Sequence, residues 1–183
     1  MGKKSSAIGV IAVVAVIAGA VIFVSSLGGG YKKPLNEMID GMNKCDTEKV
    51  ISAMIPEDAL KKAKKDSLLN WDKVLEKADD ALETSKDLLE KQYGKNVKYS
   101  IKFLDKEKIK GDDFDDIEDE YDDKFDAEIS KAYKVDAEMK VKGKKDEDSN
   151  EVSFYVVKVK GDGWKVSTYS EDLGFDSLID ALS

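Results

Sequence analysis

The sequence predicts an α+β domain behind a single N-terminal transmembrane helix, with helices packed on a four-stranded antiparallel sheet. Three observations predict it. An unbroken apolar run opens the chain, apolar residues then recur at helical spacing as far as residue 93, and from residue 97 the spacing shortens to two.

Ala7 to Val24 is a run of 18 residues holding only Ala, Ile, Gly, Val and Phe. At 1.5 Å per residue such a helix spans ~27 Å, close to the ~30 Å thickness of the hydrocarbon core. It is long for the apolar stretch of a cleaved signal peptide, so residues 7–24 read as an uncleaved signal anchor. Cleavage within Ser25 to Gly28 is the alternative and would leave a secreted protein. Residues 1–6 form a short basic tail in which Lys3 and Lys4 favour the cytoplasmic side, partly offset by Lys32 and Lys33. The rest of the chain is then expected to be extracytoplasmic. A lipoprotein would need a cysteine at the end of the run, and Cys45 lies 21 residues beyond Val24. The opening Met1 to Ser6 fits a myristoylation pattern, which a spanning helix makes redundant. Residues 25–33, with Gly28-Gly29-Gly30, read as a flexible tether, and 34–183 as the domain.

From Pro34, apolar residues fall at Leu35, Met38, Ile39, Met42 and Cys45, one face of a helix. Asp46 is placed as the N-cap of a second helix, with Val50, Ile51, Met54 and Ile55 on its face. Pro56 opens a third stretch through Ala59, Leu60, Ala63, Leu68, Trp71, Leu75, Ala78, Leu82, Leu88 and Leu89. It reads as one long or broken helix ending at Tyr93-Gly94, the glycine supplying the C-terminal turn.

The period then becomes two. Val97, Tyr99, Ile101 and Phe103 alternate with polar residues, as do Tyr133, Val135, Ala137, Met139 and Val141 in a second strand. Between them Phe114, Ile117, Tyr121, Phe125 and Ile129 run at spacings of three and four, a helix. Glu151 to Lys160 is a third strand, and Gly161-Asp162-Gly163 turns it into a fourth over Trp164 to Tyr169. Phe175, Leu178, Ile179 and Leu182 suggest a short closing helix.

This order resembles the NTF2-like (cystatin-like α+β) domains found on bacterial surface and membrane-anchored proteins. The resemblance rests on the opening helix running into an Asp-led second helix, Met42 to Ile55, and on the Gly-Asp-Gly-Trp-Lys-Val hairpin at 161–166. It covers most of residues 34–170. It implies a curved sheet with a pocket between sheet and helices, and names no substrate, since the family includes binding modules, interaction modules and small enzymes.

Composition closes several chemistries. The 183 residues include no His and no Arg, so all 30 cationic side chains are lysines. That excludes His-based nucleophilic triads, His-ligated zinc or haem, and the arginine fork for phosphate or guanine. Against the lysines stand 38 acids, giving a net charge of −8; from Tyr31 onward 28 lysines and 38 acids leave −10. A chain so acidic repels nucleic acid. One cysteine permits neither an internal disulfide nor a thiolate metal cluster.

The remaining features each admit a functional and a plainer reading. Asp112 to Asp126 carries 10 acids in 15 residues. Carboxylates suit Ca²⁺, but Ile117 and Glu118 break the EF-hand pattern begun at Asp113. The segment reads as a helix with a solvated acidic face, on which a basic partner could dock. Lys61 to Lys65 suits anionic lipid or, with Glu57, Asp58 and Asp66 adjacent, a solvated helix. Trp71 and Trp164 suit a pocket lining or, better, core packing. Cys45 has no His or Arg to activate it. Asp105 continues the inward parity of Tyr99, Ile101 and Phe103, so a pocket carboxylate acting as a base is the enzymatic alternative. No residue is assigned to a catalytic, cofactor or metal site. The expected partners are the membrane, through the single span, and either a protein or a small-molecule ligand. The reading is a non-enzymatic, membrane-anchored binding or interaction module.

Overall fold

The computed structural model describes residues 30–65 and 70–167. The apolar run 7–24, most of the tether, Leu68, the stretch Thr168-Tyr169 and the stripe Phe175 to Leu182 lie outside the described residues. Among those described, no helix is long and apolar enough to cross a membrane.

Helices α1 (Lys32–Lys44), α2 (Thr47–Met54), α3 (Glu57–Lys65) and α4 (Trp71–Tyr93) precede β1 (Lys98–Lys108). Then come α5 (Asp112–Phe125), β2 (Ile129–Lys142), β3 (Glu147–Val159) and β4 (Gly163–Val166). The strands form one open antiparallel sheet in the order β1-β2-β3-β4, so the architecture is α+β.

The local chemistry of the helical half matches its sequence signals. Leu35, Met38, Ile39 and Met42 all fall on the buried face of α1. The helix stops at Cys45, whose backbone takes the left-handed conformation (φ 55°) and returns its N–H to the carbonyls of Gly41 and Met42. Asp46 caps α2 by accepting the Lys49 N–H at 2.9 Å. Gly41 makes this corner tight: a Cβ there would sit 2.9 Å from both the Asp46 carbonyl oxygen and Val50 Cγ2. The long helical stretch is two helices. Asn70 begins the second by accepting the Lys73 N–H at 3.1 Å, and Gly94 (φ 86°) ends it. The Tyr93 carbonyl at that end receives the N–H groups of Lys145 and Asp146 at 2.8 and 3.1 Å. The β2–β3 turn thus caps α4.

Alternation sorts the sheet into two faces. Tyr99, Val135, Ala137, Met139, Phe154, Val156 and Val166 face α1 and α2 and join Leu35, Met38, Ile39, Val50 and Leu89 in the main core. Ala132, Val157 and Val159 face the other way and pack with Ile117 and Tyr121 of α5. Helices therefore lie on both faces of the sheet.

Two expectations about the strands are corrected. Ile129 does not extend the α5 stripe: α5 ends at Phe125, Asp126 turns left-handed (φ 53°), and Ile129 begins β2. In β1, Phe103 pairs with Ala137 but Asp105 pairs with the adjacent residue Asp136, leaving Leu104 as the extra residue of a β-bulge. Beyond the bulge the strand's parity is reversed.

Candidate functional site

The bulge determines which side chains meet at the open end of the main core. Asp105 sits opposite Asp136 and is exposed, on the face away from α1; its Oδ1 accepts the N–H of Lys106 at 2.8 Å. The inward placement expected for Asp105 is thus overturned, because Leu104 breaks the alternation on which it rested. Lys106, opposite Val135, and Lys108, opposite Tyr133, take the inward positions instead.

What Lys106 meets is an aromatic cluster. Tyr133 of β2 and Trp164 of β4 stack with ring centroids 5.4 Å apart. Tyr31, just ahead of α1, lies 5.8 Å from Tyr133 and edge-on to Trp164 at 6.4 Å. Tyr31 is buried, while Tyr133, Trp164 and Phe103 are half-buried. The Lys106 ammonium stands over Tyr31 at 4.6 Å and over Tyr133 at 5.1 Å. Lys32 reaches Phe103 at 4.9 Å and Tyr31 at 5.9 Å. These are cation–π distances. Among the described residues neither ammonium has a carboxylate partner.

Gly30, the first described residue, packs against this cluster. Gly30 lies so close to the indole that a Cβ there would be 2.8 Å from Trp164 Cδ1. Only glycine lets the backbone pass at that distance.

Behind Trp164 a polar clasp fixes β4. Lys165 is buried, its ammonium donating to the Ser52 carbonyl at 3.0 Å and lying 3.3 Å from Asp162 Oδ1. Asp162 also caps α3, its Oδ2 accepting the Glu57 N–H at 2.6 Å. One carboxylate in the β3–β4 turn therefore serves a helix start and a buried cation together.

The other sequence candidates are dispersed. Lys61 pairs with Glu57 at 2.8 Å, Lys62 with Asp126 at 2.7 Å, and Lys64 with Glu48, the neutralised pattern of a solvated helix. The acidic face of α5 is exposed, with Ile117 and Tyr121 buried beneath it. Trp71 packs with Ile51 and Leu60 in a separate small cluster. Cys45 is half-buried, and burial pushes its thiol up, away from reactivity. Burial also raises Tyr99, whose hydroxyl has no hydrogen-bond partner among the described residues. No group of three or more acids or thiols among those residues is placed to hold a metal ion.

The sequence singles out Trp164 but not Tyr31, Tyr133, Lys32 and Lys106 as its companions. Tyr133 is visible there as an inward strand residue, and nothing in the pattern reveals that the bulge delivers a lysine to it. Chemically, the cluster offers apolar ring surface for the body of a ligand and two un-neutralised ammonium groups for an anionic head. It contains no nucleophile paired with a base. Compared with protein families, curated proteins and solved structures, the chain matches no family model, no curated protein and no solved structure.

Proposed function

We propose that this chain is a membrane-anchored, extracytoplasmic binding module of NTF2-like type, held by residues 7–24 and working by recognition rather than catalysis. The observation that carries the reading is the Tyr31–Tyr133–Trp164 cluster with Lys32 and Lys106 upon it, at the point where the chain enters the domain. Helices laid on a four-stranded antiparallel sheet support the NTF2-like comparison at the level of architecture. Asp105, exposed on the opposite face, is no longer placed to act as a pocket base. An anchor would confine the cluster near the membrane and raise its effective concentration for whatever lies there.

Topology and binding are tested together. Cys45→Ala removes the native thiol and Lys144→Cys places one on the exposed β2–β3 turn. A membrane-impermeant maleimide should label this variant on intact cells, and the chain should stay in the membrane after an alkaline wash. Labelling only after lysis would overturn the extracytoplasmic placement, and release by the wash would overturn the anchor. Native mass spectrometry of the detergent-extracted chain should then find a bound mass that the Lys32→Gln/Lys106→Gln variant loses.

A further inference from the structure

We infer that the Tyr31–Phe103–Tyr133–Trp164 cluster, with Lys32 and Lys106, is a docking site for the anionic headgroups of the membrane in which the chain is anchored. The inference rests on the anchored reading and adds the chemistry of the ligand. Three observations support it, and each is independent of the others.

The first is reach. Tyr31 is the seventh residue after Val24, and a chain extends at most ~3.6 Å per residue, so the cluster lies within ~25 Å of the end of the apolar run. Gly30 passes directly over the Trp164 indole. The segment arriving from the membrane therefore brings the cluster with it.

The second is charge. The part of the chain from Tyr31 onward carries −10, and on α3 Lys61, Lys62 and Lys64 are each paired with a carboxylate. At the cluster the sign reverses. The bulge at Leu104 turns Asp105 and Glu107 to the far face and Lys106 and Lys108 to the aromatic one. On α1, Glu37 is engaged by Lys33 at 3.7 Å. Lys32, Lys106 and Lys108 are left without carboxylate partners among the described residues. A face where unpaired lysines stand beside aromatic rings gives an otherwise acidic domain an attractive approach to an anionic bilayer.

The third is residue type. Half-buried Tyr and Trp rings with lysines beside them are the side chains that settle at the boundary between headgroups and water, because each has an apolar body and a polar tip. On α3, Lys64 also stands over a ring, that of Trp71 at 5.8 Å, but this lysine is paired with Glu48.

The test uses the full chain with Trp71→Phe, so that Trp164 is the sole indole, in nanodiscs carrying a headgroup spin label. Discs of phosphatidylcholine are compared with discs containing phosphatidylglycerol. Trp164 fluorescence should be quenched more strongly in the phosphatidylglycerol discs. Lys32→Gln/Lys106→Gln should reduce the quenching to the phosphatidylcholine level, with about a fivefold loss of docking per lysine. Lys144→Gln/Lys145→Gln, an equal change of charge on the far turn, should leave it unchanged. Should Trp71→Phe fail to fold, hydrogen exchange of the unaltered chain gives the same answer: residues 31–33 and 104–108 should be protected by phosphatidylglycerol.

Equal quenching or equal protection in the two kinds of disc overturns the inference, as does an equal effect of the far-turn pair. A response to millimolar inorganic phosphate in phosphatidylcholine discs matching that to phosphatidylglycerol would assign the site to a soluble anion. Protection seen only in native membranes would assign it to a protein. Loss of the chain from both discs on washing indicts the anchor, whereas a retained chain with unquenched Trp164 indicts the headgroup site alone.

Discussion

Lys165 is the one charged residue buried among those described, and its removal has a magnitude that can be worked from its surroundings. Its ammonium is shielded from water, and it is held by Asp162 at 3.3 Å and the Ser52 carbonyl at 3.0 Å. Lys165→Met keeps the volume and removes the charge. Asp162, with 18% of its side chain exposed, would keep the Glu57 N–H but lose its cation. Breaking a fully buried pair from one side costs ~3–5 kcal/mol, and the residual exposure and the remaining donor bring the expectation to ~2 kcal/mol. Asp162→Asn keeps an acceptor for the α3 cap but strands the ammonium, for a similar ~2 kcal/mol. Asp162→Ala adds the lost cap, ~1 kcal/mol more. The double variant Asp162→Asn/Lys165→Met leaves neither charge alone, so it should cost ~1–2 kcal/mol less than the sum of its parts. Urea unfolding of the full chain in detergent micelles, followed by the combined fluorescence of Trp71 and Trp164, reads all four. Additive single effects would refute the argument, because they would mean that Asp162 and Lys165 are stabilised separately.

Four further outcomes are expected. Gly41→Ala gains helix propensity of ~1 kcal/mol but forces a Cβ to within 2.9 Å of the Asp46 carbonyl oxygen, so a net loss of ~1–2 kcal/mol is expected by thermal unfolding. Gly143→Ala would place a Cβ 2.2 Å from the Tyr93 carbonyl oxygen; it should be the worse of the two, losing the α4 cap and with it slow hydrogen exchange at 144–146, whose N–H groups donate to Tyr93 and Lys95. Glu147 is held down to about 2 by hydrogen bonds from Lys140 and Lys142. Because its folded pKa is lowered, its contribution is present above ~pH 4 and is lost as pH falls toward 2. Carboxyl NMR should find it there at low ionic strength and nearer the ordinary glutamate range in high salt, as Glu147 and Lys142 are exposed and Lys140 is only half-buried. Asp105→Asn, on the solvated face, should alter stability by less than ~0.5 kcal/mol and leave Trp164 quenching by headgroup labels unchanged.

Much of the fold can be read because its signals are local. Asp46 faces the N–H it is expected to cap, and the alternation through Tyr133, Val135, Ala137 and Met139 survives intact because this strand is paired on both sides. Asn70 is legible as a cap residue only once a helix is known to begin at Trp71, so the sequence does not decide between one helix and two over α3 and α4. Ile129 misleads because a helical stripe and a strand can share a residue at the right spacing, and only the left-handed turn at Asp126 separates them. The candidate site is hardest to read. It joins residues 30–32, 103–106, 133 and 164, which nothing links in sequence, and it depends on a bulge that apolar alternation does not record.

That dependence can be tested at Leu104. Its side chain is 45% exposed, so deleting it removes little core surface. The pairing already runs Phe103 to Ala137 and Asp105 to Asp136, adjacent positions on β2, so a chain lacking Leu104 needs no change of register to form a regular ladder. Lys106 should therefore remain opposite Val135, above Tyr31 and Tyr133. The competing outcome is a slip by one residue, which would exchange the faces of everything from Asp105 to Lys108 and bring two acids onto the rings. Val135 and Ala137 are buried in the main core and hold β2 in place, so only β1 is free to slip, and a slip would set the Asp105 carboxylate against that apolar surface. Retention of register is the expected result. In a Cys45→Ala background, Lys32→Cys should cross-link through a short bis-maleimide to Lys106→Cys, with and without Leu104, and not to Asp105→Cys. Cross-linking of position 105 after the deletion would show that the bulge residue itself, rather than the pairing around it, holds the lysine over the rings.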